Sequence, residues 1–409
     1  MKRIELVSNM KVLISLLVVS TWTSLSHAQH GADALSAAVP VESKAFVHPG
    51  MLHNEDDFAR MRAHRNEQPW QAGWERLTAN KHASLGYQPR PAETIVRGRD
   101  RLHVETENYA VMFNDAAAAY ALALRWRISG EREFADKAVQ ILNAWSSTLK
   151  RISGSSDLAL AAGIYGYQWA NAAEIMRTYA GWKPEELARF QKMMREVFLP
   201  INQDFLKRHN NTKIDHYWAN WDLCNMASMM AIGILCDERS LYDEVVRYYK
   251  NGEGNGCIRQ AVCFIHSDGL GQWQEAGRDQ PHTVMGIGLA SVICEMAWKQ
   301  GDDIYGFDDN RLLKGCEYVA KYNLGEHVSY TPYKNSDTTQ NAISDTARGD
   351  LRPVWELPYN HYVKRKKLAA PFTARMAEKV RPEGGGGDYG PNSGGFDQLG
   401  YGTLTATLE

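Results

Sequence analysis

The sequence predicts an all-α protein, a single (α/α) toroid formed as an incomplete barrel of helix hairpins and ending in a short irregular tail. Three observations lead there. Apolar residues recur with helical periodicity from residue 56 to about residue 323, with few strand signals. Within that stretch one pattern returns: an apolar helix ends, a Gly or Cys followed by an acid makes the turn, and a second amphipathic helix begins. At 409 residues with 44% hydrophobics the chain can bury a large core, and repeated antiparallel hairpins of this length suit a ring whose inner ends form a cleft.

The elements follow in order. Lys2, Arg3 and Lys11, the apolar run from Val12 to Trp22, and Ser26-His27-Ala28-Gln29 read as a signal peptide over 1–28, cleaved after Ala28 for export to the periplasm or the medium. A start at Met10 would make it tidier, and no Cys follows to take a lipid anchor. The helical toroid domain is assigned to 29–383 and a Gly-rich tail to 384–409. Asn54 is the expected cap of a helix through Phe58, Met61 and Arg65. The hairpins are 121–145 turning at Gly130-Glu131, 227–249 turning at Cys236-Asp237, and 290–322 turning at Gly301-Asp302. Their spacing is too irregular for a short-repeat solenoid. Pro184 followed by Glu185-Glu186 opens a helix, with Pro in the first turn and acids at the positive dipole end. Near the end, 384–387 and 389–395 read as loop or tail, and 399–408 as a short strand.

Composition excludes some functions. A formal net charge of −2 gives no global field for nucleic acid or a membrane surface. Cys224, Cys236 and Cys294 fall in apolar helical patterns, and with Cys257, Cys263 and Cys316 they form no C-x-x-C pair. Mostly buried thiols are expected, with Cys257 and Cys263 left open. His266 with Asp268 offers only two metal ligands, so neither a metal nor another cofactor is expected. The oligomeric state is unassigned, with a monomer expected.

Two polar segments carry the chemistry. One runs from Asn210 and Asn211 through His216, Tyr217, Trp218, Asn220 and Trp221 into a helix. The other, from Gln272 through Gln274, Glu275, Arg278, Asp279, Gln280 and His282, also precedes an apolar helix. Amides, an imidazole, a phenol and indoles can bind a carboxylate, move a proton and stack on a sugar ring. The competing reading of each aromatic is core packing, and of each polar residue a helix-start hydrogen bond or an ion pair.

Asn210-Asn211 followed by Tyr217-Trp218-Ala219-Asn220-Trp221 resembles the Asn-Asn-His-x-Tyr-Trp-x-x-Trp signature of the alginate lyase family. The likeness extends to Asp115 through Tyr120, Ile128-Ser129-Gly130, Ala172-Ala173-Glu174-Ile175 and the Arg278 loop, over roughly 108–360. Trp221-Asp222-Leu223-Cys224-Asn225 and Gly277-Arg278-Asp279-Gln280 resemble the subgroup acting on β-1,4-linked uronates such as mannuronan and glucuronan. The resemblance implies an (α/α) toroid and a polysaccharide lyase whose partner is an acidic polysaccharide. Two departures stand out. Residues 212–215 separate Asn211 from His216, where the family pattern has them adjacent, and no Tyr follows Arg278, where His282 stands instead.

β-Elimination removes the C5 proton of a uronate and expels the C4 oxygen, which requires donors that neutralise the C6 carboxylate. Asn211, supported by Asn210, and Arg278 or His282 are the residue types for that task. His216 and Tyr217 are the candidates for base and acid, since one group can serve both roles on one face of a mannuronate or glucuronate. Gln168, Trp218, Trp221, Gln274, Glu275, Gln280, His282 and Tyr362 are assigned to substrate contact, with Asn171, Tyr359 and His361 as further cleft candidates. Two rivals remain: a glycoside hydrolase, needing two opposed carboxylates from among Asp115, Asp222, Glu275 and Asp279, and a non-catalytic glycan-binding protein.

Overall fold

The computed structural model describes residues 44–387 and 396–409; the expected signal peptide and 389–395 lie outside them. The helices form two layers. Ala110–Ser129, Gly166–Met176, Ala219–Leu235 and Gln280–Lys299 are apolar on every side and pack in succession against one another as an inner ring. Arg132–Thr148, Leu199–Arg208, Arg239–Asn251 and Phe307–Asn323 have one apolar stripe each and lie outside them. This is the expected toroid. All three hairpins form at their expected turns, Gly130 taking the left-handed conformation that ends its helix. Asn54 caps Glu55–His64 with a full capping box, and Pro184 opens Pro184–Met193.

Close contact within the inner ring needs residues without side chains. A Cβ on Gly166 would lie 2.1 Å from Ser228 Oγ, and one on Gly163 would lie 2.4 Å from Cys224 Sγ. Around this contact, buried amides satisfy one another. Asn202 donates to Asn225 at 2.8 Å, and Ser228 donates to Asn202 at 2.8 Å. All six cysteines are free thiols, Cys257 and Cys263 included.

The sequence shows little sign of the three two-stranded ribbons found among the described residues, yet each supports a loop at one end of the ring. Thr94–Val96 runs parallel to Arg151–Ser153 and delivers Arg97. Val262–Ile265 pairs with Gly271–Trp273 and leads into the Arg278 segment. Tyr333–Lys334 pairs with Thr339–Gln340, and their turn grips the 209–218 loop.

The C-terminal stretch differs from expectation. No strand forms over 399–408; one bridge joins Gly385 to Gly400, and Gly402–Thr405 is a helical turn. It is irregular but packed. Tyr401, Thr403 and Leu404 are buried, and the turn rests on the helices Glu55–His64 and Trp70–Ala79. Arg60 donates to the Thr405 carbonyl at 2.9 Å, and Leu408 donates to Asn360 at 2.9 Å. Among the described residues no helix is long and apolar enough to cross a membrane.

Candidate active site

The inner helices all begin at the same end of the ring, and an open cleft of about 890 Å³ lies there. Asp157 and Ile164 reach it from the run into Gly166–Met176, Asn220 and Trp221 from the first turn of Ala219–Leu235, and His282 from the first turn of Gln280–Lys299. Arg97 precedes the first inner helix, and Arg352 precedes the short helix Glu356–Tyr359. The positive ends of the helix dipoles therefore converge on one space, to which Arg97, Arg278 and Arg352 add formal charge.

The start of Ala219–Leu235 is fixed from outside. Trp218 has no side chain able to cap it, so Gln274 accepts from the Ala219 N–H at 2.9 Å while donating to the Tyr333 hydroxyl at 2.7 Å. One residue on, Asn220 turns its side chain into the cleft. Its Oδ1 is buried without a hydrogen-bond partner, and its Nδ2 meets only Met285 Sδ at 3.9 Å. Trp221 forms a wall of the cleft, backed by Phe205 at 5.7 Å and Tyr217 at 4.4 Å between ring centroids.

Arg278 is held on three sides. Its Nη1 donates to the fully buried Glu275 at 3.0 Å, its Nη2 to His282 Nε2 at 3.2 Å, and its guanidinium sits over the Trp218 ring at 5.3 Å. Trp218 thus backs the arginine. Burial holds the Glu275 carboxyl above the usual range in spite of Arg278 beside it. Asp279 caps the next helix through the His282 N–H at 2.8 Å and accepts from His282 Nδ1 at 2.7 Å. Against the pull of burial, His282 and Arg278 hold Asp279 below the usual carboxylate range.

The segment between Leu199–Arg208 and Ala219–Leu235 runs along the cleft end of the ring. His209, Asn210 and Asn211 are consecutive residues at φ 46, 52 and 60°, a strained run that Asn tolerates better than most. Buried Asp222 anchors it, accepting from His209 Nε2 at 2.9 Å, the Tyr248 hydroxyl at 3.2 Å and the Gly256 N–H at 2.9 Å. Asn210 donates to the Tyr217 hydroxyl at 2.9 Å. His216 is exposed, with Nδ1 on Asp337 at 2.8 Å, and none of the described residues hydrogen-bonds its Nε2. Asp337 belongs to the same turn that binds Asp215 through Ser336, whose hydroxyl donation lowers the Asp215 pKa.

Of the residues singled out in the sequence, the structure brings Trp221, Arg278 and His282 to the cleft and Trp218 and Glu275 behind them. Asn210, Asn211, His216 and Tyr217 sit on the loop at its end, with Asn211 exposed and accepting only from Arg208 at 3.3 Å. Others are placed elsewhere. Gln168 is buried and donates to the Phe396 carbonyl at 2.6 Å, and Asn171, in the middle of its helix, accepts from the Leu52 N–H at 3.1 Å. Gln274 is the cap described above, and Gln280 ties Ser344 to Asn323 at 2.8 and 2.9 Å. Tyr362 is wholly buried and donates to the Tyr305 carbonyl at 3.0 Å, and His361 stacks on Tyr305 at 3.8 Å, so this group does not close the cleft. Arg97, Asp157, Asn220, Arg352 and Asp397 were missed; only Asn220, inside the aromatic segment, carried a usable signal.

His266 and Asp268 have turn roles, contacting Gln272 at 3.2 Å and the Leu270 N–H at 3.1 Å. Among the described residues no group of three or more His, Cys, Asp or Glu side chains is placed to hold a metal ion.

Comparison with known proteins agrees with this architecture. The family model described as alginate lyase matches residues 71–329, more than half of the chain and both polar segments. The chain belongs to the alginate lyase family. It is therefore a polysaccharide lyase. No curated protein sequence matches it. Among solved structures, an alginate lyase from Bacteroides ovatus superposes with a TM-score of 0.60 at 13% identity, covering 81% of this chain and 96% of that one. Alginate lyase A1-III from Sphingomonas species A1 gives 0.56 at 13% identity, covering 86% and 95%. A Tyr-to-Phe variant of A1-III complexed with tetrasaccharide gives 0.58 at 14% identity, covering 91% and 99%. At these identities the likeness is one of fold, and the chemistry of this family member rests on its own side chains.

Proposed function

We propose that this lyase cleaves β-1,4-linked polyuronates, mannuronan or glucuronan, by β-elimination without a metal ion. One observation carries the reading: the N-termini of the inner helices converge with Arg97, Arg278 and Arg352 on a single cleft. Such a cleft suits a polyanion, and the A1-III tetrasaccharide complex is a precedent for a bound oligosaccharide on this fold.

A uronate stacked on Trp221 would place its C6 carboxylate against Arg278, with the Asn220 amide beside it. Successive sugars of a two-fold β-1,4 chain face opposite ways, so the next carboxylate would turn toward the Arg97 wall. Neutralising the carboxylate acidifies C5–H. His216, through the Nε2 left free by Asp337, and Tyr217 share the proton transfers. The C5 proton passes to the base, its electron pair forms the C4=C5 double bond, and the C4–O bond breaks. The departing oxygen takes a proton, leaving an unsaturated uronate at the new chain end.

The hydrolase reading is weakened by its own carboxylates. Asp115 accepts from Tyr87, the Arg90 N–H and Trp145 at 2.6, 2.7 and 2.7 Å, and Asp222, Glu275 and Asp279 are engaged as described. Export after cleavage at Ala28 is part of the proposal, supported by the N-terminal pattern, and sequencing the mature N-terminus tests it.

The test is ultraviolet absorbance during incubation with polymannuronate, polyguluronate, glucuronan and a neutral polysaccharide. Absorbance rising on polymannuronate or glucuronan is expected, since the new double bond is conjugated with the carboxylate. New reducing ends without absorbance would overturn elimination, and binding without shortening would leave a glycan-binding protein.

A further inference from the structure

Asp157 lines the cleft, and none of the described residues reaches its carboxylate with a hydrogen bond or ion pair. In a site for a polyanion that is costly, because an unpaired carboxylate repels every uronate that enters. The other acid on the wall, Asp397, is neutralised by Arg352 at 3.2 Å. Arg97 feels Asp157, but its Nη1 donates to the Tyr165 hydroxyl at 3.0 Å and it makes no ion pair with either acid.

The position of Asp157 gives it a use. The run into Gly166–Met176 and the helix Gln280–Lys299 both pack against Ala219–Leu235, whose first turn carries Trp221, so Asp157 and Arg278 line the cleft from two different neighbours of that helix. In a pyranose, C5 and its carboxylate lie across the ring from C2. A uronate stacked on Trp221 with its carboxylate on Arg278 therefore presents its C2 and C3 hydroxyls to the Asp157 wall. Vicinal hydroxyls are two donors spaced for one carboxylate, and such bonds are charge-assisted.

We propose that Asp157 is a specificity residue that accepts from the C2 and C3 hydroxyls of the uronate held on Trp221, and so reads the carbon at which mannuronate and glucuronate differ. This rests on the polyuronate reading above. The same contact excludes sugars O-acetylated at C2 or C3, which have lost a donor and gained bulk.

The experiment compares wild type, Asp157→Asn and Asp157→Ala on polymannuronate and glucuronan, each free and O-acetylated, with melting temperatures as a check on folding. Wild type is expected to favour one free polymer and to discriminate against the acetylated forms. Asp157→Ala is expected to lose roughly tenfold or more in kcat/KM on the preferred polymer, about the worth of one charged hydrogen bond, chiefly through KM. Both preferences should shrink together. Asp157→Asn, which keeps the shape, should lose the preference with an unchanged melting temperature. Three outcomes would overturn the inference: unaltered preferences in both variants, KM falling equally on all polymers as charge repulsion alone would give, or a loss confined to kcat. Wild type inert on every uronate polymer would instead overturn the polyuronate reading.

Discussion

Arg278 donates to Nε2 of His282 at 3.2 Å, while Nδ1 of the same imidazole faces Asp279 at 2.7 Å. The nitrogen that accepts must carry a lone pair, so this network places the ring proton on Nδ1. Both nitrogens of His282 are occupied, and its service to the site is to aim the guanidinium.

Arg278→Ala is expected to lower kcat by about 10²–10³, the cost of removing one preorganised donor from a developing anion. Arg278→Lys should recover only part, because an ammonium cannot hold Glu275, His282 and substrate from one planar fork. Initial rates by ultraviolet absorbance, beside circular dichroism of each variant, check this.

Asn220 and Asn211 compete for the amide role. Asn220→Ala is expected to cost about a hundredfold in kcat/KM, as its Nδ2, held only weakly by Met285 Sδ at 3.9 Å, is the donor the carboxylate would meet. Asn211→Ala, exposed on the loop, should stay within about threefold, well under the cost of one hydrogen bond to a charged group. The reverse ranking would move the role to the loop.

His216→Ala and Tyr217→Phe separate the proton carriers. The variant missing the base should lose about 10²–10⁴ in kcat with little change in KM. Asp337→Asn keeps the ring but weakens its orientation, so kcat should fall by less than in His216→Ala, with KM little changed.

Stability should fall in mild acid. Burial pushes His53 and His361 down from 6.5 to about 4. Protons bind these rings more readily in the unfolded chain, so the stability they contribute is full above 6.5 and is lost as pH falls from there to about 4. Glu295 responds later. Burial opposes its ionisation, but Arg365 and Lys299 outweigh that and hold it at about 2, so its contribution is present above 4.5 and goes as pH falls toward 2. Melting temperatures between pH 7 and 4 should therefore drop, and His361→Gln should flatten the slope.

Gly166→Ala should destabilise by about 1–3 kcal/mol, as a methyl group 2.1 Å from Ser228 Oγ forces two inner helices apart. Ser228→Ala in the same chain should relieve part of it, measurable by urea unfolding.

The ring of hairpins was legible because its signals are local. Gly130, Cys236 and Gly301 punctuate the apolar runs, and Asn54 and Pro184 mark helix starts by their own chemistry. The cleft was legible only where one segment carries it. Trp221, Arg278 and His282 lie in conspicuous polar runs, whereas Arg97, Asp157 and Arg352 come from plain surroundings more than 50 residues apart. Their meeting is a product of the closed ring, which no local pattern records. Gln168, Gln280 and Tyr362 looked like ligands because buried hydrogen-bonding residues and sugar-binding residues are the same types.

The packed C-terminal turn has a consequence for how the molecule is made. Leu404 meets Gly73, and Thr405 accepts from Arg60 across 345 residues of chain, so the 402–405 turn seats against the helices Glu55–His64 and Trp70–Ala79. Each hairpin can form from its own neighbouring residues, whereas this contact waits until both distant segments exist. Helix formation and the joining of these segments are thus separate events, and a chain cut before Gly402 keeps its hairpins without this clasp.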